Sequence, residues 1–124
     1  MVPMDGRHTL LHVAHWLQLP TVIVARPGLG TINHTLLTVG ALRAADVPVA
    51  GVVISRYPAG TAETAEETNP SAIEKWGGVP VLCLVPDEPL RGATIPPEIA
   101  EAIEMVDWGR FAGTARREIG RKEE

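Results

Sequence analysis

PTVIVARPGLGTINHTLLTVG, residues 20–40, is the stretch from which the fold can be read. A valine-rich apolar run leads into two glycines spaced by one residue, and a helical repeat then follows through Ile32, Leu36, Val39 and Leu42 or Arg43. A strand, a glycine turn and a helix in that order make a βα unit. The first N–H groups of such a helix lack partners and sit at the positive end of its dipole, which suits a small anion. Gly28 and Gly30 let the backbone come close, so the amides of Leu29, Gly30, Thr31, Ile32 and Asn33 are placed to converge on a carboxylate. A plain βα turn with Thr31 as its cap uses the same spacing.

The same rhythm recurs along the chain. TVIVA (21–25), VAGVVI (49–54) and VLCLV (81–85) each follow a proline and give way to a loop bearing glycine or proline. Their near-continuous hydrophobicity predicts strands covered on both faces, as in a parallel sheet. TLLHVAHWL repeats Leu10, Val13, Ala14 and Leu17 at the helical period, and Asn69-Pro70 reads as a cap with proline at the first helical position. Gly77-Gly78 ends that helix, and Pro97 opens another through Ile99, Ile103 and Val106. Trp108, Phe111, Ala112, Ala115 and Ile119 mark a final amphipathic stretch. The expectation is an α/β fold, a three-layer parallel sheet flanked by helices, as one domain over residues 1–124. So narrow a sheet leaves bare edges, and MVPM at the start reads as the tail of a further strand. Gly40 inside a helix costs about 1 kcal/mol relative to alanine, which close packing across a dimer would rationalise.

Composition narrows the function. Of 124 residues, 45% are hydrophobic and 21% charged, values of a globular chain with one core. A net charge of −4 argues against nucleic acid or an anionic membrane as the main partner. The basic residues in RREIGRKEE read as a solvated helix tail. Cys83, the lone cysteine, falls in an apolar run and reads as a buried, inert thiol. No run reaches the ~20 apolar residues of a membrane span, and MVPMDGRHT lacks the regions of a signal peptide. A cytoplasmic protein is the simplest account.

Nucleotide motifs fail in specific ways. GxxxxGK[ST] needs a Gly-Lys pair, and Lys75 and Lys122, the only lysines, both lie elsewhere. GxGxxG fails at its third glycine, where Asn33 stands. His8, His12 and His15 share one helical face with the spacing of a zinc site, but a solvated face fits them better. His34 reads as a packed or capping residue. Asp87 and Glu88 follow the third strand and read as an acidic turn at the end of the sheet where ligands bind.

RPGLGTINHTLLTVGALRAADVPVAGVVIS, followed by EETNPSAIEKWGGVPVLCLVP, closely resembles the C-terminal half of dethiobiotin synthetase. The specific part is G-[LT]-G-x-INH-[TA]-LLT, and the resemblance spans roughly residues 2 to 90. It implies a partial P-loop NTPase-like fold that dimerises and a cytoplasmic ligase of biotin biosynthesis. That family uses ATP, Mg²⁺ and CO₂ to close the ureido ring of 7,8-diaminopelargonic acid. By position, Leu29, Gly30, Thr31, Ile32 and Asn33 would hold the substrate's distal carboxylate across the dimer interface, with Asn69 close by. Ser55, Pro86, Asp87 and Glu88 would meet the adenine end of ATP, although serine makes only part of the contact of the asparagine usual at that position. The family's P-loop lysine, metal carboxylates and diamine-binding lysine belong to its N-terminal half. The chain alone is therefore expected not to catalyse. Rival readings are a non-catalytic dimerisation module, a half-enzyme completed by a separate P-loop chain, and a truncated reading frame.

Overall fold

β-Branched side chains set the sheet. In a computed structural model describing residues 2–58, 64–89 and 92–112, the order is α1 Leu10–Leu17, β1 Thr21–Ala25, α2 Thr31–Ala44, β2 Val49–Tyr57, α3 Thr64–Gly77, β3 Val81–Pro86 and α4 Pro97–Glu104. The strands form one sheet in the order β1-β2-β3, with both neighbouring pairs parallel. This is the α/β architecture that the alternation of apolar runs and helical repeats predicts.

Val52 and Ile54 on β2 and Ile73 on α3 are fully buried. Ile23 and Ala25 lie in register beside the two β2 residues, and Val39 and Leu42 of α2 close the same cluster. Full burial of one such aliphatic side chain contributes roughly 1.5–3 kcal/mol. Gly51 is required where β2 meets β3. A Cβ there would stand 2.7 Å from Leu82 Cγ and 2.8 Å from the Pro80 carbonyl oxygen.

At its C-terminal end α2 is tied to α3. The Arg43 guanidinium donates through Nη1 to the Gly77 carbonyl at 2.8 Å and through Nη2 to that of Gly78 at 2.9 Å. These are carbonyls a helix end leaves without intrahelical partners.

Four expectations are corrected. Helix α3 begins at Thr64, not at Asn69, so Pro70 lies inside it. Glu66 and Glu67 in the first turn complement the dipole there. Pro70 has no N–H for the Glu66 carbonyl four residues back, and the Tyr57 hydroxyl donates to that carbonyl at 3.4 Å. β2 runs on to Tyr57, so Ser55 belongs to the strand rather than to the following loop.

The opening residues add no strand to the sheet. Asp5 accepts the N–H groups of Arg7 and His8 at 2.7 and 2.8 Å, which turns the chain back so that Pro3 bridges Thr9. Nor are the strands covered on both faces. Val24 on the edge strand β1 is 66% exposed, and on β3 Cys83 is only half-buried. Three strands offer too few helices to cover every face.

Among the described residues nothing lies within 4 Å of a Cβ built at Gly40, so their packing does not require glycine there. Helix α4 starts at Pro97 as read and packs on β3. The final amphipathic stretch lies outside the described residues from 113 onward.

Candidate functional site

The turn between β1 and α2 is built on Gly30. Gly30 is the N-cap residue with φ of 87°, a left-handed conformation that glycine adopts without steric cost. Thr31 is therefore not the cap; it is the first helical residue and is 5% exposed. No side chain caps this helix start. The Thr31 amide donates to the Gly28 carbonyl at 3.2 Å and the His34 amide to that of Gly30 at 3.1 Å. The amides of Leu29, Gly30, Ile32 and Asn33 have no partner among the described residues. Leu29 is fully exposed, so solvent and ligands reach this end of the helix. Four open donors thus stand at the positive end of the helix dipole.

Beside the turn lies a cavity of about 390 Å³, walled by Val24, Arg26 and Leu29 on one side and by Thr31, Thr35 and Thr38 on the other. The threonines recur at i, i+4 and i+7 and so share one face of α2. Arg26, Thr35 and Thr38 lie outside the apolar helical period and so carry no hydrophobic signal in the sequence. The threonine stripe was the available signal. His34 is exposed, and its ring lies at this cavity without capping the helix.

Asn69 reaches the turn from α3. Its side chain is 5% exposed, and Nδ2 donates to the Pro27 carbonyl at 2.7 Å. The asparagine thus holds the loop in place from behind.

The residues expected at adenine gather at the carboxyl ends of the strands, where open α/β sheets bind ligands. Ser55 Oγ donates to the Ala25 carbonyl at 3.4 Å, and the Asp87 amide donates to the Tyr57 carbonyl at 2.9 Å. Pro86 ends β3, Asp87 is exposed and Glu88 half-buried. A triphosphate with magnesium does not fit the described side chains. Among them no group of three His, Cys, Asp or Glu residues could hold a metal, and Lys75 sits at the far end of α3 over the Trp76 ring, 5.2 Å from its centroid.

The histidine face does structural work. The His15 Nδ1–H donates to the Ala45 carbonyl at 2.7 Å, joining α1 to the end of α2. His12 Nδ1 accepts the Thr9 amide at 2.9 Å, which fixes the start of α1. His8 stacks edge-on to Trp16 with ring centroids 4.9 Å apart. The His8 hydrogen bond, helped by the amides of Arg7 and His8, holds the Asp5 carboxyl below the usual carboxylate range. Burial pushes the Cys83 thiol up, which removes thiolate character. Among the described residues no helix is long and apolar enough to cross a membrane.

With fold and turn in view, comparison places the chain. Residues 1–94 match the AAA domain family, and the chain belongs to that family. Within it the chain is dethiobiotin synthetase-like. It is 45% identical over 85 residues to the ATP-dependent dethiobiotin synthetase BioD of Bacillus subtilis (strain 168), covering 68% of this chain and 36% of that protein. The BioD of Haloferax mediterranei is 44% identical over the same shares. The biotin biosynthesis bifunctional protein BioCD of Bordetella avium (strain 197N) is 46% identical over 85 residues, which is 17% of its length. The match thus spans about a third of the length of the BioD relatives.

Proposed function

We propose that this chain serves biotin biosynthesis by carrying the carboxylate end of a dethiobiotin synthetase-type substrate site. The ligand is 7,8-diaminopelargonic acid or a similar monocarboxylate. The amides of Leu29, Gly30, Ile32 and Asn33 hold its carboxylate, while Asn69 fixes the loop that presents them. The observation that carries this reading is the absence of any cap on the α2 start, whose open amides remain accessible. An uncapped positive end without lysine suits one carboxylate better than a triphosphate.

Ser55, Pro86, Asp87 and Glu88 supply at most the rim of an adenine site. ATP and Mg²⁺, where the family reaction uses them, take their main ligands from a P-loop outside the described residues. A homodimer, or a P-loop partner chain, completes the site, and the chain by itself does not ligate.

Titration calorimetry with pelargonate tests the site. The parent chain binds, and Leu29→Glu, which sets a second carboxylate beside the amides, weakens binding tenfold or more without changing stability beyond about 0.5 kcal/mol. Equal binding by parent and variant would refute the assignment. An assay with ATP, Mg²⁺, bicarbonate and the diamine checks the second point; turnover by the isolated chain contradicts it.

A further inference from the structure

We propose that His12 makes the start of α1 a proton-sensitive latch, closed while its imidazole is neutral and opened when the ring takes a second proton, with the far end of the helix held in both states.

Three histidines lie on or beside α1, and the direction of each hydrogen bond decides how each responds to acid. His8 Nδ1–H donates to the Asp5 carboxylate at 2.9 Å, and His15 Nδ1–H donates to the Ala45 carbonyl at 2.7 Å. Such bonds survive protonation, because an imidazolium carries a proton on both nitrogens. His12 is the exception. Its Nδ1 accepts the Thr9 amide at 2.9 Å, so that nitrogen is bare and the ring neutral. Thr9 is the N-cap and His12 the third helical residue, the position from which a glutamate or glutamine ordinarily accepts the amide of the cap. Here a neutral imidazole does the same work, with an acceptor that acid removes in the range where imidazoles titrate, about pH 6.5.

Protonation sets Nδ1–H against the Thr9 N–H, two donors 2.9 Å apart. The Thr9 hydroxyl, 3.1 Å from the same nitrogen, can turn to accept the new proton, whereas the amide can only donate. The ring therefore swings off the amide, and the first turn loses its cap. That turn is otherwise held by the His12 and Val13 amides on the Thr9 carbonyl at 3.0 and 3.5 Å and by the Leu10 amide on the Val2 carbonyl at 2.9 Å. Leu11, packed against the core, is the apolar side chain that its loosening uncovers.

His12 is exposed, so protons reach it. The charged and titratable groups about it are Asp5, Arg7 and His8 on the opening turn and His15 one turn along the helix. The Asp5 carboxylate attracts a charge on His12, while a protonated His8, with ring centroids 5.5 Å apart, repels one. From α2, packed on α1, Arg43 is committed to the carbonyls of Gly77 and Gly78, and Asp46 lies past the helix end. β1 carries no titratable side chain. Because the cap needs the neutral ring, its contribution is full above the imidazole range and lost as pH falls through it.

The test is amide hydrogen exchange by NMR on the full chain at about pH 7.5 and about pH 5.5, either side of the imidazole range, with each rate corrected for the intrinsic effect of pH. Protection of the Thr9, His12 and Val13 amides should fall about fivefold at the lower pH, as the loss of one such bond requires. The Gln18 amide, bonded to the Ala14 carbonyl at the other end of α1, should keep its protection. His12→Gln supplies an acceptor that acid leaves intact, so it should abolish the fall, whereas His8→Gln should leave the fall in place. Protection in the parent that does not change with pH, or a fall that Gln18 shares equally, overturns the proposal. So does a fall that persists in His12→Gln. A fall that vanishes in His8→Gln overturns it too, since the cause would then be repulsion between the two rings.

Discussion

Replacing Asn69 by alanine cuts the side-chain tie between α3 and the turn before α2. The tie is one hydrogen bond of 2.7 Å to the Pro27 carbonyl, made by a side chain 5% exposed. A bond of this kind contributes about 0.5–1.5 kcal/mol net, and because Pro27 is half-buried beside the cavity, water takes over part of the lost bond. Pro27 has no help from the adjoining helix, because the Thr31 amide that might have reached it donates to Gly28 instead. The loss should therefore fall within that range.

The same change loosens the turn that carries the open amides. A cost of about 1 kcal/mol in ordering that turn lowers monocarboxylate affinity about fivefold. Urea unfolding followed by circular dichroism measures the first effect, and calorimetry with pelargonate the second. Asn69→Asp is the sharper probe, since a carboxylate oxygen would face the carbonyl oxygen and repel it. If Asn69→Ala stays within about 0.5 kcal/mol of the parent and binds pelargonate equally well, the asparagine does not organise the site.

Further outcomes follow from the same geometry. Gly51→Ala sets a Cβ against the Pro80 carbonyl, which cannot rotate away as a side chain can, and should cost about 1–3 kcal/mol in urea unfolding. Tyr57→Phe should destabilise the chain by about 0.5–1.5 kcal/mol and lose most of that effect beside Pro70→Ala, where the new amide bonds the Glu66 carbonyl; equal costs in both backgrounds would remove Tyr57 from that role. The Asp5 carboxyl is depressed, so its contribution is present above the ordinary aspartate value of about 3.9 and fades as pH falls through the lower folded value. Carbon chemical shifts should place its midpoint below that value and return it upward in His8→Ala.

Much of this was legible in the residues. Val/Ile runs after prolines gave β1 and β3 nearly to the residue, and Pro97 gave the start of α4, because β-branched runs and helix-first prolines act locally. The glycine turn showed itself through spacing and type. What the residues hid was settled by contacts distant in sequence. Asn69-Pro70 has the local form of a helix start, and inside α3 the Tyr57 hydroxyl from β2 offers the Glu66 carbonyl a donor where Pro70 has none. Thr31 has the chemistry of a cap, but Gly30 takes the position that needs a left-handed backbone. The bareness of β1 could not be read from a run that looks fit for full burial, since coverage depends on neighbours beyond the strand. His15 was hidden for the same reason, since its partner Ala45 lies at the end of α2, whereas the His12 bond to Thr9 is local.

The bonds of Asn69 and Arg43 have a joint mechanical meaning. Asn69 fastens the middle of α3 to the loop before α2, and Arg43 fastens the other end of α2, itself about 21 Å long, to the end of α3. Two ties eight residues apart on α3, at Asn69 and at Gly77, resist a scissoring of the two helices. On the proposed reading, an incoming carboxylate meets a turn already held by Asn69 and spends little of its affinity on ordering it.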